Sequence, residues 1–278
     1  LPIYTDVAIE ELTNVQVFVH QAAPNDHILS FDHALVRDAI YQRMLRSDRE
    51  KLHAKVAQVL EQQFEKSKKV APHILALHYS ESNNLERAVH CWRRAGDLAI
   101  NQLAHQEAFA SYNRALVLLH DMPQSGMRDE IELQLCMAIA EPLIAMRGSG
   151  SRKLAHLTER VHELCVNTSN KSHLTAVHYL KWTVMQSGTE LTDLHLVAAD
   201  IRKFSKDDDE IAKLLTHRAM GFTCMIQGKL KSAHQEFEHF FQLFNYDKYA
   251  ASVSFQFSSM NDVSGSALAF ATICLLRN

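Results

Sequence analysis

Apolar and small residues recur at helical spacing along most of the chain, and in one stretch the recurrence has a second, longer period. With Trp92 at the fourth place of a frame of about 34 residues, Ala95, Gly96 and Ala99 take the seventh, eighth and eleventh places. Ala108, Tyr112 and Ala115 then take the twentieth, twenty-fourth and twenty-seventh. This spacing predicts two antiparallel helices joined by a turn. The bulky fourth residue and the aromatic twenty-fourth fill the space between the helices, while the small eighth, twentieth and twenty-seventh residues let the backbones approach.

A second copy keeps the spacing, with Gly221 eighth, Gly228 fifteenth, Leu230 seventeenth, Ala233 twentieth, Phe237 twenty-fourth and Phe240 twenty-seventh. Phe240 stands where the frame takes a small residue and His217 where it takes a bulky apolar one, so this pair is expected to pack less closely. Residues 127–167 and 171–205 each read as a helix pair with a blurred frame: Asp193 stands five after Gly188, where Ala233 stands five after Gly228. The frame resembles the tetratricopeptide repeat. What this implies is an all-α fold, a superhelical solenoid over residues 70–278 whose first helices line a concave surface. Exposed side chains of Leu85–Leu98, namely Arg87, His90, Arg93 and Arg94, are the candidate partner contacts.

The pattern changes over residues 1–66. Val15–Val19 and Ile28–Phe31 are short β-rich runs around a polar loop, His20–His27, that contains Pro24, Asn25 and Asp26, which suits a hairpin. Two helices follow. Asp32 suits the cap of the first, which carries Leu35, Val36, Ile40, Tyr41 and Leu45 at helical spacing. Ser47, with Glu50 three residues on, suits a capping box for the second. Strand, loop, strand, helix, helix is the order that a partial winged-helix-like domain, a small α/β remnant, would leave. Leu1–Leu12 reads as the close of a preceding domain, and Ser264–Leu276 as an amphipathic helix with an open apolar face. The chain is therefore expected to be a piece of a longer protein, truncated at its C-terminal end and able to self-associate through that last helix.

Composition agrees with helix. At 278 residues and 47% apolar content the chain can bury a sizeable core, and 8 Gly with 5 Pro are too few for the turns of an all-β fold. A net charge of −3 with interspersed signs removes the electrostatic term that supplies most non-specific affinity for nucleic acid or anionic membrane. Cys91, Cys136, Cys165, Cys224 and Cys274 are odd in number and far apart, and read as reduced core residues of a cytosolic protein. Ala267–Leu276 is too short to span a bilayer and no signal peptide is evident, so the expected location is cytoplasmic.

Candidate chemistry is thin. Among 17 histidines, His73 and His78, His173 and His178, and His234 and His239 are each five apart, which leaves two rings about 140° apart on one helix. Zincins place theirs four apart. His33 and His53 are instead placed to meet across the first two helices. Arg147–Lys153 has an anion cradle's flexible amides and cations, yet its Gly and Ser serve a tight turn and helix cap equally well. Asp207–Glu210 lacks the alternating ligands and central Gly of a calcium loop and reads as an acidic helix start. Cys91 beside His90 is out of register for catalysis, because adjacent helical side chains diverge by about 100°. Arg37, Arg43, Arg46, Arg49, Lys51 and Lys55 are interleaved with Asp38, Asp48 and Glu50, as on a solvated face. No catalytic, cofactor-binding or metal-binding residue is assigned.

A more specific resemblance lies in Phe31-Asp32-His33-Ala34-Leu35-Val36-Arg37-Asp38-Ala39-Ile40-Tyr41, followed by Leu45-Arg46-Ser47, Arg49, Leu52 and His53. This run resembles the segment joining the ATPase core to the repeats in bacterial signal-transduction ATPases with numerous domains, many of which carry a class III adenylate cyclase domain. The resemblance continues through His78-Tyr79, Ala88, Trp92 and Ala95-Gly96, then Glu132-Leu133-Gln134-Leu135, to Ala267-Leu268-Ala269. It implies a linker motif of Phe31, His33, Leu35, Asp38, Tyr41, Arg49 and His53. It also implies a non-catalytic sensor or scaffold region, partnered by a protein, a peptide or the upstream ATPase domain in cis, with a cyclase as one output. The chain has no GxxxxGK[ST], so ATP and Mg are expected only upstream. A transcription regulator of the maltose-activator type and a free-standing repeat adaptor are the other readings.

Overall fold

The computed structural model describes residues 11, 13, 18–23, 26–67, 71–167, 173–188, 193–204 and 209–245. Strands β1 (Phe18–Ala23) and β2 (Asp26–Phe31) form an antiparallel hairpin, with Phe18 opposite Phe31 and Ala23 opposite Asp26. The strands run through most of the residues read above as loop. Ladder pairing is made by the backbone, so the polar residues His20, Gln21 and His27 extend it as well as apolar ones would.

The rest of the described chain is helical: α1 (Ala34–Arg43), α2 (Arg46–Ser67), α3 (Pro72–Glu81), α4 (Leu85–Asn101), α5 (His105–His120), α6 (Gly126–Arg147), α7 (Arg152–Asn167), α8 (Leu174–Met185), α9 (Leu194–Phe204), α10 (Glu210–Ile226) and α11 (Leu230–Leu243). From α2 to α11 every helix packs on its neighbours in sequence, and α8 also reaches α10. The α4–α5 and α10–α11 pairs are the most extensively packed. The result is a helical-repeat-like fold. The predicted pairs over 127–167 and 171–205 correspond to α6–α7 and α8–α9.

One turn recurs. Asn83 between α3 and α4, Leu103 between α4 and α5, and Gly228 between α10 and α11 have φ of 58°, 57° and 74°. In each case the next residue donates its N–H to a carbonyl five back: Asn84 to Tyr79 at 3.0 Å, Ala104 to Ala99 at 2.9 Å, Lys229 to Cys224 at 2.9 Å. A left-handed residue thus closes each helix and satisfies a carbonyl its last turn would leave unpaired. Leu103 and Gly228 both occupy the fifteenth place of the frame.

Of the frame residues, Trp92, Ala95, Gly96, Ala99, Ala108, Tyr112, Ala115, Gly221, Ala233 and Phe237 are buried. Gly228 is exposed and belongs to the turn rather than the core. A Cβ on Gly96 would lie 2.3 Å from the Tyr112 ring, and one on Gly221 would lie 2.7 Å from the Phe237 ring. In both pairs an aromatic ring therefore rests on the glycine of the facing helix. The α10–α11 pair is the less closely packed of the two, as its frame residues suggest: a Cβ on Gly221 would lie 2.7 Å from the facing ring, against 2.3 Å at Gly96. Phe240 is fully buried, stacked on Phe244 at 5.6 Å and edge-on to Phe241 at 5.3 Å at the end of α11.

The core is continuous from Ala57 through Ile201 to Leu215 and Ala219, while Leu214, Ala233, Phe237 and Phe240 form a small cluster of their own. At the other end α1 buries none of its residues, so Leu35, Ile40 and Leu45 are exposed where helical spacing suggested a core face. Two caps also differ. The N-cap of α1 is His33, without a side-chain bond, and Asp32 lies 3.5 Å from His33 Nε2 instead. Helix α2 starts before Ser47: the Leu45 carbonyl accepts from Asp48 and Arg49, and Glu50 pairs with Arg46 at 2.8 Å. Asp209 does cap α10, accepting from Ala212 N at 2.9 Å. Readings that fall on residues 1–10 and 12, Asp207, Asp208, Ser264–Leu276 and Cys274 lie outside the described residues.

Candidate functional site

Helix α4 turns Ala88, Val89, Trp92, Ala95, Gly96 and Ala99 inward, and this leaves Arg87, His90, Arg93 and Arg94 along a groove of about 700 Å³ shared with α2, α3 and α6. Arg87 and Arg93 are bonded to neighbouring helices. Arg87 Nη1 donates to Glu61 Oε2 at 2.6 Å and to the Tyr79 hydroxyl at 3.0 Å, which ties α4 back to α2. Arg93 donates to Gln134 Oε1 on α6. His90 and Arg94 are exposed. Burial, and then its bond to Glu61 at 2.8 Å, push the Tyr79 phenol above its ordinary value. The groove is lined by apolar Leu75, Val89 and Ile131 and by charges of both signs, Arg87, Arg93 and Arg94 with Glu61 and Glu86, so it suits a segment that carries both apolar and polar side chains.

A second cluster lies where α1, α2 and α3 meet. The Tyr41 hydroxyl lies 2.9 Å from His53 Nε2 and donates to Glu81 Oε2 at 3.4 Å, while His53 Nδ1 lies 2.8 Å from His78 Nδ1. The Arg49 guanidinium sits 5.2 Å from the Tyr41 ring centre. Two facing Nδ1 atoms at that distance share one proton, because a second would place two N–H donors head to head. Burial, and then the nearby His53, push His78 below its ordinary value.

Of the linker motif, Tyr41, Arg49 and His53 are thus brought together, while Phe31 ends β2, Leu35 is 82% exposed and Asp38 pairs with its neighbour Arg37 at 2.8 Å. His33 does not meet His53. It stays exposed at the start of α1, and the partner of His53 comes from α3.

The remaining candidates resolve simply. Gly148, at φ 77°, closes α6, and Ser151 accepts from Leu154 N at 3.4 Å, so Arg147–Lys153 is a turn and cap. Arg37, Arg46 and Lys51 pair with Asp38, Glu50 and Asp48, as a solvated face would. Burial pushes the thiol of Cys136 up to about 12 and that of Cys165 up to about 11, leaving both protonated at neutral pH.

One constellation escaped the sequence reading. His217 of α10 and Glu236 and His239 of α11 bring their ligand atoms within 4.8 Å of one another. The available signal was a Glu three residues before a His on one helix, which a comparison of histidine with histidine passes over.

The segment is predominantly a helical-repeat-like fold. No described helix is long and apolar enough to cross a membrane. In comparisons with known proteins, the sequence matches no family model and no curated protein.

Proposed function

We propose that this chain is the non-catalytic interaction and regulatory region of a multidomain signalling ATPase: a solenoid of tetratricopeptide-like pairs joined to a winged-helix-like remnant. The observation that carries the reading is the repeated contact of Gly96 with Tyr112 and Gly221 with Phe237, each beside a left-handed turn at the fifteenth place of the frame. Repeats so built stack into a surface that binds a protein or peptide. Here that surface is the groove around His90, Arg93 and Arg94, with a protein or peptide segment as the partner.

The linker helices provide the second contact. Leu45, Leu52, Val56 and Val59 leave an exposed apolar face on and just before α2, which suits docking of the ATPase domain in cis. The His53–His78 contact joins that face to the first repeat helices. ATP and Mg act upstream, and a cyclase is one output.

The test is to express the region encoded upstream of Leu1 and measure its ATP hydrolysis with and without this segment. The expected result is a changed rate that Leu52→Asp with Val56→Asp abolishes. An upstream region that encodes no phosphate-binding loop would overturn the reading in favour of a free-standing adaptor.

A further inference from the structure

We propose that His217, Glu236 and His239 form a binding site for one zinc ion that clamps α10 to α11. The site lies apart from the groove and stands independently of the regulatory reading. Three features place it there. Glu236 and His239 are three apart on α11 and so share a face, and the contact of Gly221 with Phe237 brings α10 close enough for His217 to complete the set. His217 Nδ1 already lies 2.7 Å from Glu236 Oε2, and the rings of His217 and His239 are 5.3 Å apart.

Two imidazoles and one carboxylate are a zinc donor set that leaves a fourth position for water. Zinc holds such donors at about 2.0–2.2 Å, so tetrahedral ligand atoms stand about 3.4 Å from one another. The 2.7 Å contact is shorter than this spacing and the 4.8 Å limit is longer.

The frame supplies the third feature. His217 holds the fourth place, which Trp92 fills in the first pair with a large apolar ring. A half-buried histidine there gives up that packing, and an ion bridging to α11 replaces it with bonds across the same two helices. Only His239, on the rim, is exposed, and it provides the way in for the ion.

The experiment uses the whole chain, stripped with chelator and titrated with zinc chloride by calorimetry and thermal melting, then with cobalt(II) as a spectroscopic probe. Expected are one ion per chain, a raised melting temperature and the visible bands of tetrahedral cobalt. Because His239 is exposed, His239→Gln leaves the fold intact. It and Glu236→Gln should each weaken binding by at least about tenfold and remove the cobalt bands, while His156→Gln at an exposed position changes nothing. A chain with no stoichiometric zinc binding, or binding that is equal in His239→Gln and the parent, would overturn the proposal.

Discussion

The α4–α5 and α10–α11 pairs rest an aromatic ring on a glycine in the same way, yet are completed by different residues. In the first, Trp92 donates from Nε1 to Ser80 Oγ at 3.0 Å and lies under the Arg114 guanidinium at 4.6 Å, within a core that continues into α3 and α6. In the second, His217 faces Glu236, and Phe237 and Phe240 belong to a small separate cluster. At the twenty-seventh place Ala115 and Phe240 are both fully buried. The difference teaches that the glycine–aromatic contact fixes how closely two helices approach, whereas the fourth and twenty-seventh places decide how a pair is tied to the rest of the array.

The largest test of that comparison is to remove the rings. Tyr112→Ala and Phe237→Ala should each cost about 3–5 kcal/mol, as for buried aromatics in general. They should differ in what is released. Hydrogen exchange is expected to show Phe237→Ala opening α10 and α11 while α4 and α5 stay protected, whereas Tyr112→Ala weakens the continuous core on both sides. Equal loss of protection in both pairs for Phe237→Ala would mean that the last pair is no separate unit.

Filling the glycines is the next test. A helical Gly→Ala change gains about 1 kcal/mol in propensity, against about 1–3 kcal/mol for overpacking. At Gly96 the obstructing ring is anchored, since the Tyr112 hydroxyl donates to Asp97 at 2.8 Å, so the penalty wins. At Gly221 the approach is 2.7 Å rather than 2.3 Å, so Gly221→Ala lies nearer balance. Chemical denaturation should place Gly96→Ala clearly below Gly221→Ala, and a neutral Gly96→Ala would break the comparison.

The shared turn gives a smaller effect of opposite sign in the two pairs. A non-glycine residue in the left-handed region costs about 1–2 kcal/mol, and a glycine gives back part of this through its greater freedom when unfolded. Leu103→Gly should therefore stabilise by about 0.5–1 kcal/mol, while Gly228→Leu destabilises by a similar amount, read as shifts in the urea midpoint.

The smallest effect concerns pH at the front of the array. His78 is held below its ordinary value, first by burial and then by His53, so the unfolded chain takes up this proton at a higher pH than the folded one. Its contribution is fully present above about pH 6.5, where the unfolded group is neutral, and is lost as pH falls through the lowered folded value. A urea midpoint that drops on acidification in the parent, and drops less in His78→Gln, is the expected result. Identical pH profiles would remove His78 from the account.

Much of this architecture was legible because a fixed period of glycine, alanine and aromatic residues is a local signature that helix packing must obey. The pairs over 127–167 and 171–205 were visible for the same reason, even where the frame itself blurred. The turn at Leu103 was not, because leucine in a left-handed conformation leaves no mark in a sequence; only its equivalence to Gly228 reveals it. The strand ends and the caps at Asp32 and Ser47 were misplaced because several neighbouring polar residues are chemically able to fill each role.

The candidate sites were less legible than the fold. Arg87, His90, Arg93 and Arg94 could be placed on one helix face from spacing, but the engagement of Arg87 by Glu61 and of Arg93 by Gln134 depends on helices far along the chain. His53 with His78, 25 residues apart, and His217 with Glu236, 19 apart, are contacts of the same kind. Sequence by itself determined the helical class, the register of the frame and the residues that would be buried in it, Gly228 excepted, since these follow from periodicity and side-chain volume along one helix at a time. Only the tertiary structure decided which polar side chains meet, because a hydrogen bond or a ligand set needs atoms from separate helices within a few ångströms, and that distance is set by how the whole array packs.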